Sequence, residues 1–318
     1  MVTIIIPNYN GYGFLKDCLE TLTPQLKEGV HVLVVDNGST DESVAFLQSY
    51  EGIETLLLPT NSGFCGAVNA GIKASDTKYV ILLNNDTKVL PGYVDSLVAA
   101  MEKDELIFSG SARMLQMHAP ELIDDAGDEY CALGWAFARG KGKKTDSYEE
   151  ETEVFAACGG ASIYRRAIFE EIGCFDEQHF AYLEDIDIGY RARIYGYRNV
   201  YVPEAQVLHF GSGSSGSRYN AFKVSLSSRN SVYLPWKNMP FIQIVLNLPF
   251  LLLGYLTKYV FFVRKGLGKE YRKGLLEGCK LCLSSDGKKH KIGGFFKHFK
   301  EYCHIQLLLW RNLFRIEH

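Results

Sequence analysis

The chain has 318 residues, of which 47% are hydrophobic, and a net charge of −3. This is enough apolar material for one large core with an appendage, and it excludes a disulfide-dense small domain. The eight cysteines have no disulfide-framework spacing and the first residues show no secretory signal pattern, so we expect reduced thiols.

The charge is divided unevenly along the chain. Residues 1–236 have a balance of −13, whereas residues 237–318 have a balance of +10 and many aromatic side chains. An acidic globular part followed by a basic, aromatic tail predicts two different environments, and the one around the tail is expected to be anionic.

The first hundred residues alternate between apolar runs and segments with helical spacing. Strands are predicted at residues 2–6, 30–35, 54–58 and 79–83, and helices at 12–22, 39–49 and 66–74. This alternation predicts a parallel sheet covered by helices, with ligands bound beyond the carboxyl ends of the strands. No G-x-G-x-x-G motif follows the first strand, which argues against a dinucleotide site.

The remaining chain divides into three parts. Residues 105–155 are polar, and we expect an irregular excursion over the active face. A compact block follows at 155–235. Residues 238–257 carry no charge, which fits an interfacial or re-entrant helix, a full membrane span, or a helix buried in a core or an oligomer contact.

Two polar clusters come at the ends of predicted strands. Asn84, Asn85 and Asp86 follow the fourth strand, and Asp36 ends the second. A carboxylate at the end of the fourth strand projects into the ligand crevice, where Asp86 can hold a divalent cation together with phosphate groups, whereas Asp36 can accept a hydrogen bond from a base or ribose. An ordinary Asx turn or a helix cap explains the same residues equally well.

A third acidic cluster opens a predicted helix. Asp187 and Arg191 are four residues apart and are expected to pair on one face of this helix. Glu184 and Asp185 precede that face, and crowded carboxylates raise one another's proton affinity, which suits a general base. His209 ends a later strand and has either a structural or a site role. The Gly/Ser-rich segment 211–214 behind it predicts a mobile loop.

These clusters belong to a series of short motifs in a fixed order. They are VTIIIPNYN (2–10), VVDNGSTD (34–41), NSGF (61–64), NAG (69–71), LLNND (82–86), GGA (159–161), FD (175–176), EDID (184–187) and His209. Each motif is weak alone, but the ordered set is specific. Residues 2–235 resemble the family 2 glycosyltransferases of GT-A fold, in particular the bacterial rhamnosyltransferase-like branch that builds cell-surface polysaccharides.

The resemblance implies an α/β GT-A fold, with a Rossmann-like, mostly parallel sheet flanked by helices at residues 1–235 and a helical membrane-associating extension at 236–318. It implies a set of residues that binds the nucleotide-sugar: Pro7, Asn8, Tyr9, Asp36, Asn61, Asn69, Asn84, Asn85 and Gly160. The implied ligands for Mg²⁺ or Mn²⁺ are Asp86 and His209. The implied catalytic base is Asp185 or its neighbour Glu184.

One residue departs from the family pattern, because Asn84 occupies the first position of the D-x-D metal motif. It brings no charge, so we expect modest metal affinity. The expected reaction is an inverting single displacement from a nucleotide diphosphate sugar, with dTDP-rhamnose as the first choice and UDP-hexoses next. The expected acceptor is a hydroxyl of a growing, lipid-linked polysaccharide.

The basic tail implies peripheral attachment to the anionic cytoplasmic face of the cell membrane. No recognition motif accompanies its basic residues, so we expect no nucleic-acid partner. Homodimer formation through the tail is a further alternative. The alternative functions are a polyprenyl-phosphate sugar synthase, which needs no base, and an inert scaffold in polysaccharide assembly, which Asn84 favours.

Overall fold

Strands and helices alternate through the first half of the chain, as its apolar periodicity predicts. A computed structural model describes residues 1–211 and 219–316, so the predicted mobile loop falls mainly outside the described residues. The strands are β1 Val2–Asn8, β2 Val30–Asp36, β3 Glu54–Leu57, β4 Tyr79–Leu83, β5 Thr87–Val89, β6 Ile107–Gln116, β7 Ala119–Asp125, β8 Asp128–Tyr130, β9 Ala136–Ala138, β10 Thr152–Val154, β11 Ala161–Arg165 and β12 Arg198–His209.

The helices form two groups, one around the sheet and one after it. Those around the sheet are α1 Tyr12–Leu22, α2 Ser43–Ser49, α3 Gly63–Ala74, α4 Tyr93–Glu102, α5 Ile168–Ile172 and α6 Glu184–Ile194. Those after it are α7 Ala221–Asn238, α8 Phe241–Arg264, α9 Gly268–Leu283, α10 Ser285–His290 and α11 Phe299–Arg311.

The main sheet has ten strands in the described residues, and its central order is β10-β12-β6-β11-β4-β1-β2-β3. Strands β3, β2, β1 and β4 are parallel, which confirms the predicted parallel sheet for this half. Beyond β4, antiparallel β11 separates β4 from β6, and β6 pairs in parallel with β12. The carboxyl ends of β1, β2 and β4 therefore lie side by side.

Apolar side chains fill both faces of the sheet. Along β1, Ile4 and Ile6 pack with Leu15 and Leu19 of α1, whereas Ile5 points to the opposite face and packs with Val68 of α3. Successive side chains of a strand point to opposite faces, so a continuous apolar run marks a strand that is covered on both sides.

The prediction of an irregular excursion at residues 105–155 was wrong. This segment contains β6 to β10, and β6 lies inside the main sheet. Its apolar pattern is disguised because polar residues are buried with partners: the Ser109 hydroxyl donates to Asn199 Oδ1 at 2.8 Å, and Ser111 Oγ accepts from the Cys158 amide at 3.3 Å. Buried, hydrogen-bonded serines make a core strand look polar.

The helices after the sheet share a core with it. Tyr302, Ile305 and Leu309 of α11 pack in one buried cluster with Tyr130 of β8 and Tyr190 of α6. Helix α8 approaches closely at Gly254, whose carbonyl accepts from Trp135 Nε1 at 3.2 Å. A Cβ at this position would meet the Leu133 carbonyl oxygen at 2.1 Å, so glycine is required for this contact.

Helix α8 has a polar face turned inward and an apolar face turned outward. Gln243 accepts from the Tyr190 hydroxyl at 2.7 Å, and Asn247 pairs with Gln306 of α11. Phe241 and Leu256 are 80% and 60% exposed. The helix is long and apolar enough to cross a membrane. As little as 17% of its most apolar 18-residue window is buried within the protein, so it is not a core helix of this chain.

Candidate active site

A cavity of about 430 Å³ lies at the carboxyl ends of β1 and β4, between the sheet and the start of α6. Eleven of the thirteen predicted site residues border this site cavity: Pro7, Asn8, Tyr9, Asn61, Asn84, Asn85, Asp86, Gly160, Glu184, Asp185 and His209. The two others, Asp36 and Asn69, lie behind its wall. The sheet thus brings together residues as far apart in the chain as Pro7 and His209.

Asp36 supports the cavity wall from behind. Its carboxylate accepts from Asn8 Nδ2 at 3.0 Å and from the backbone amide of Ser39 at 2.9 Å. Asn8 in turn accepts from Asn85 Nδ2 at 2.8 Å. The ends of β1, β2 and β4 are therefore joined by side-chain hydrogen bonds, which hold Asn8 and Asn85 in one orientation toward the cavity.

Asn61 and Asn69 have different places. Asn61 borders the cavity and accepts from Asn37 Nδ2 at 3.1 Å, so Asn37, which the sequence interpretation did not single out, positions this loop. Asn69 is buried outside the cavity, where its amide bonds the backbone of Phe175 and the Glu177 carboxylate. It fastens α3 to the segment before α6, and this corrects its expected place beside the ligand.

Asp86 and His209 face each other across the mouth of the cavity. Their Oδ1 and Nε2 atoms are 3.4 Å apart, while His209 Nδ1 lies 2.7 Å from Asp124 Oδ2. Neighbouring ligands of an octahedral Mg²⁺ or Mn²⁺ ion are about 3 Å apart, so this pair fits such an ion. The bond to Asp124 orients the ring so that Nε2 faces Asp86, and Nε2 would give up its proton on binding a cation there.

The charge of His209 follows from these same contacts. Burial lowers the pKa of His209, but the hydrogen bonds to Asp124 and Asp86 outweigh it and raise the pKa to about 9. Asp124 also pairs with Lys141 at 2.6 Å, and these partners lower the pKa of Asp124 to about 2 against the effect of burial. The two carboxylates thus create an electronegative position around the imidazole, as a cation site requires.

The loop before α6 has an unusual backbone. Phe180, Tyr182 and Leu183 have φ angles of 61°, 70° and 67°, a region that non-glycine residues rarely adopt. Asn230 of α7 holds this loop, because its Nδ2 donates to three carbonyl oxygens, including those of Ala181 and Tyr182 at 2.9 and 2.8 Å. Such strain is retained where surrounding structure enforces it, often beside a ligand site.

Two carboxylates follow this loop and border the cavity. Glu184 is 8% exposed, and its Oε2 has no hydrogen-bond partner in the described part of the chain. Burial, with repulsion from Asp185, raises the pKa of Glu184 to about 8. Burial also raises the pKa of Asp185, although hydrogen bonds from the Ile186 amide and from Asp128 oppose this.

Asp128 extends this group of acids. Burial and repulsion by Asp125 and Asp185 hold the pKa of Asp128 well above its usual range. A protonated Asp128 donates to Asp185, and this keeps the negative charge on Asp185. Across the described residues, none of the four carboxyl groups of this acid cluster (Asp125, Asp128, Glu184 and Asp185) forms an ion pair with Lys or Arg.

Asp187 belongs to a different network, as its predicted pairing indicates. It accepts from Arg191 Nε at 3.0 Å, from Lys237 Nζ at 2.9 Å and from Asn238 Nδ2 at 2.8 Å. Despite complete burial, Lys237 and Arg191 hold the pKa of Asp187 well below its usual range. The predicted pair of Asp187 and Arg191 is confirmed, and both residues anchor α6 from beneath.

Sequence interpretation missed several residues around the site. Asp124, Asp125 and Asp128 lie in the segment that was predicted to be irregular. The signal that could have identified them is the presence of three acids within five residues, beside Gly127. Lys223 of α7 borders the cavity, and Asp86 acts on it electrostatically. The site therefore combines ligands suited to a hard divalent cation with ionisable acids and a lysine, which suits displacement of an anionic leaving group.

Known structures with similar folds include glycosyltransferases with bound nucleotide-sugars. GalNAc-T7 with UDP, GalNAc and Mn²⁺ matches at a TM-score of 0.61 and 17% identity, over 74% of this chain and 48% of that chain, about half its length. The mannosyltransferase PcManGT of Pyrobaculum calidifontis with GDP-Man and Mn²⁺ matches at a TM-score of 0.55 and 13% identity, over 96% of this chain and 86% of that chain. TarS of S. aureus, residues 1–349, matches at a TM-score of 0.51 and 15% identity, over 88% of this chain and 91% of that chain. The predicted GT-A fold is confirmed.

Sequence comparison agrees with the fold. An N-acetylglucosaminyl-diphospho-decaprenol L-rhamnosyltransferase of Mycobacterium tuberculosis is 31% identical over 243 residues, covering 68% of this chain and 78% of that protein. The family model described as glycosyl transferase family 2 matches residues 3–173, more than half of the chain. The chain belongs to glycosyl transferase family 2.

Proposed function

We propose that this glycosyltransferase moves L-rhamnose from dTDP-rhamnose to a hydroxyl of a lipid-linked saccharide, with inversion at the anomeric carbon. One observation carries the proposal: the Asp86 and His209 pair borders the same cavity as Glu184 and Asp185 of the acid cluster. The similar mycobacterial protein, named as a rhamnosyltransferase acting on a diphospho-decaprenol acceptor, supports the sugar and the acceptor class.

Asp185 is the proposed base. At pH 7 Glu184 is mainly protonated because its pKa is about 8, so it is a poor proton acceptor. Asp185 receives hydrogen bonds from Asp128 and from the Ile186 amide, and both favour its ionised form. Asp185 takes the proton of the acceptor hydroxyl as the oxygen attacks the anomeric carbon, and the bond to the nucleotide diphosphate breaks on the opposite face.

The remaining residues orient the donor. Asn8, Asn85 and Asn61 present amides to the cavity from a rigid hydrogen-bonded wall, as nucleoside recognition requires. Asp86 and His209 are the residues that would hold Mg²⁺ or Mn²⁺, which when bound supplies Lewis-acid stabilisation of the leaving diphosphate. Gly160 borders the cavity next to Asn84, where a side chain would meet the Asn84 amide at 3.1 Å.

The outer face of α8 supports peripheral attachment at the cytoplasmic membrane surface. Apolar side chains cover this face, while Gln243 and Asn247 are bonded on the inner face. A helix with this division lies in the plane of the interface with its apolar side toward the acyl chains. The basic charge of residues 237–318 favours an anionic surface.

A donor screen tests this function. Purified protein with Mn²⁺ or Mg²⁺ is offered dTDP-rhamnose, UDP-glucose, UDP-galactose, UDP-GlcNAc and GDP-mannose, and the released nucleotide diphosphate is measured with a diphosphate-linked prenyl saccharide as acceptor. We expect turnover of dTDP-rhamnose that EDTA abolishes and that Asp86→Ala reduces by roughly 10²-fold or more. Asp17→Ala is the matched control, because Asp17 is a half-buried acid that pairs with Lys88 outside the cavity.

The other results have defined meanings. Turnover of a different donor would replace rhamnose by that sugar and keep the reaction class. Transfer to a prenyl phosphate, with activity retained in Asp185→Asn, would establish a polyprenyl-phosphate sugar synthase. No turnover of any donor with the saccharide acceptor present would leave the scaffold function as the better account.

A further inference from the structure

A second cavity of about 390 Å³ lies between α7, α8 and α9. This helical cavity is in the range of small-ligand sites. Its walls are mainly apolar, with Val224, Phe261 and Phe262 among them. Tyr182 and Lys223 border both this cavity and the site cavity, so the two are neighbours that share a wall.

Lys258 of α8 brings an unbalanced positive charge to the helical cavity. Its Nζ lies 5.5 Å from the centre of the Trp135 ring, and no carboxylate pairs with it in residues 1–211 and 219–316. Loss of hydration lowers the pKa of Lys258 to about 8, so the group stays mainly charged at pH 7. A partly buried ammonium without a carboxylate is costly unless an anion balances it.

Tyr271 of α9 is a second, independent sign of a ligand. Its ring stacks on Phe262 at 5.2 Å and borders the helical cavity, and the residue is 2% exposed. Its hydroxyl is buried and has no hydrogen-bond partner in the described part of the chain. Buried hydroxyl donors are nearly always paired, so this one calls for an acceptor that residues 1–211 and 219–316 do not supply.

We propose that the helical cavity binds the diphosphate group of a prenyl-diphosphate-linked saccharide acceptor, with Lys258 and the Tyr271 hydroxyl as its donors. This assignment rests on the proposed function, since it names the part of the acceptor that the catalytic site does not hold. Phosphate oxygens are strong acceptors for ammonium and phenol donors. The shared wall places the saccharide between the diphosphate and Asp185.

The surroundings of the helical cavity fit a prenyl chain. The same helix that supplies Lys258 exposes Leu252, Leu256 and Val260 on its outer face, at 59%, 60% and 43%. A chain that leaves the cavity along α8 therefore meets apolar surface, and a helix with this face lies at the acyl boundary of a bilayer. The diphosphate headgroup and the prenyl chain of the acceptor thus have adjacent polar and apolar binding surfaces.

Direct binding tests the assignment without any sugar donor. Farnesyl diphosphate and farnesol are titrated into the full chain, and tryptophan fluorescence reports on Trp135 beside Lys258. We expect farnesyl diphosphate to bind wild-type protein roughly tenfold to a hundredfold more tightly than farnesol, and Lys258→Gln and Tyr271→Phe each to remove most of that difference. Lys265→Gln, at the residue directly after the same helix and outside the cavity, keeps this difference.

Three results would overturn the assignment. Equal binding of farnesyl diphosphate and farnesol would mean a purely apolar site. Unchanged binding in both variants would exclude these donors. Tyr271→Phe keeps the ring that stacks on Phe262, so a loss of binding in this variant reports the missing hydroxyl and not misfolding. If Lys258→Gln lost binding to phosphatidylglycerol vesicles but kept its binding of farnesyl diphosphate, the lysine would be assigned to a phospholipid headgroup. Donor turnover by the same preparations shows separately whether the proposed function holds.

Discussion

The two ends of the first turn of α6 carry carboxylates in opposite electrostatic surroundings. Asp187 lies among Lys237, Arg191 and Asn238, and its pKa is held well below the usual range. Glu184 is also buried and Asp185 partly so, but neither forms an ion pair with Lys or Arg in the described residues, and burial, with repulsion between the acids, raises their pKa values. Burial alone does not decide ionisation; the nearby cations do.

This difference separates a structural acid from acids suited to proton transfer. A paired, permanently ionised carboxylate stabilises the fold but has no tendency to take a proton at neutral pH. An unpaired, buried carboxylate lowers the stability of the fold when it is ionised, and it is able to take a proton from a substrate. Four variants test this distinction.

The largest effect is expected for Asp185→Asn. Removal of the base lowers kcat by roughly 10²–10⁴-fold at pH 7, while the melting temperature changes little because no cation loses its partner. Steady-state transfer with the preferred donor measures this effect. Glu184→Gln is the matched control and keeps most activity, since Glu184 is already protonated at this pH. The reverse pattern would make Glu184 the base.

Asp187→Asn is expected to act on stability. It leaves Lys237 and Arg191 buried with less compensating charge and lowers the free energy of unfolding by about 3–5 kcal/mol at pH 7. The pKa of Asp187 is lowered by folding, so its contribution is complete above the pKa of the unfolded chain, about 4, and is lost as the pH falls below it.

Urea unfolding at pH 7, and at acidic pH values well below the usual pKa of an aspartate, measures this effect. The exposed Asp95, paired with Lys27, provides the control, and Asp95→Asn should change the free energy by less than about 0.5 kcal/mol. A loss of similar size in both variants would contradict the special role of the buried network.

Asp128→Ala is expected to shift the pH dependence of catalysis. Without the hydrogen bond from Asp128, burial raises the pKa of Asp185 further, and the acidic limb of kcat/KM moves to higher pH by roughly one unit. Asp128→Asn retains a donor and keeps the limb near its original position. Identical profiles for the alanine variant and the wild type would show that Asp128 does not tune the base.

The smallest effect is expected for the stability of Glu184→Gln. Folding raises the pKa of Glu184 from about 4.5 to about 8, so its ionisation makes the folded state less stable as the pH rises through this interval. The neutral amide removes this penalty and raises the melting temperature by roughly 2–4 °C at pH 9, with no gain at pH 4. Equal gains at both pH values would point to packing instead.

Local sequence determined the parallel half of the sheet and most of the cavity wall. The apolar run in β1 and the helical spacing of α1 predict both elements because their burial is continuous or periodic along the chain. Since carboxyl ends of parallel strands share an edge, Asn8 and Asp86 could be placed together without coordinates. Helix α2 begins four residues later than predicted, at Ser43, because the Asp41 carboxylate accepts from the Ser43 amide and holds the residues before it in a turn.

Tertiary structure alone decided which polar groups meet. His209 bonds Asp124, 85 residues away, and Asn230 holds the carbonyl of Ala181, 49 residues away. Lys258 and Tyr271 also become neighbours of one cavity only through the packing of α7, α8 and α9. Apolar periodicity reports which side of an element is buried, whereas hydrogen bonds and charge pairs depend on the path of the whole chain, and that path sets which acids are neutralised and which stay available for catalysis.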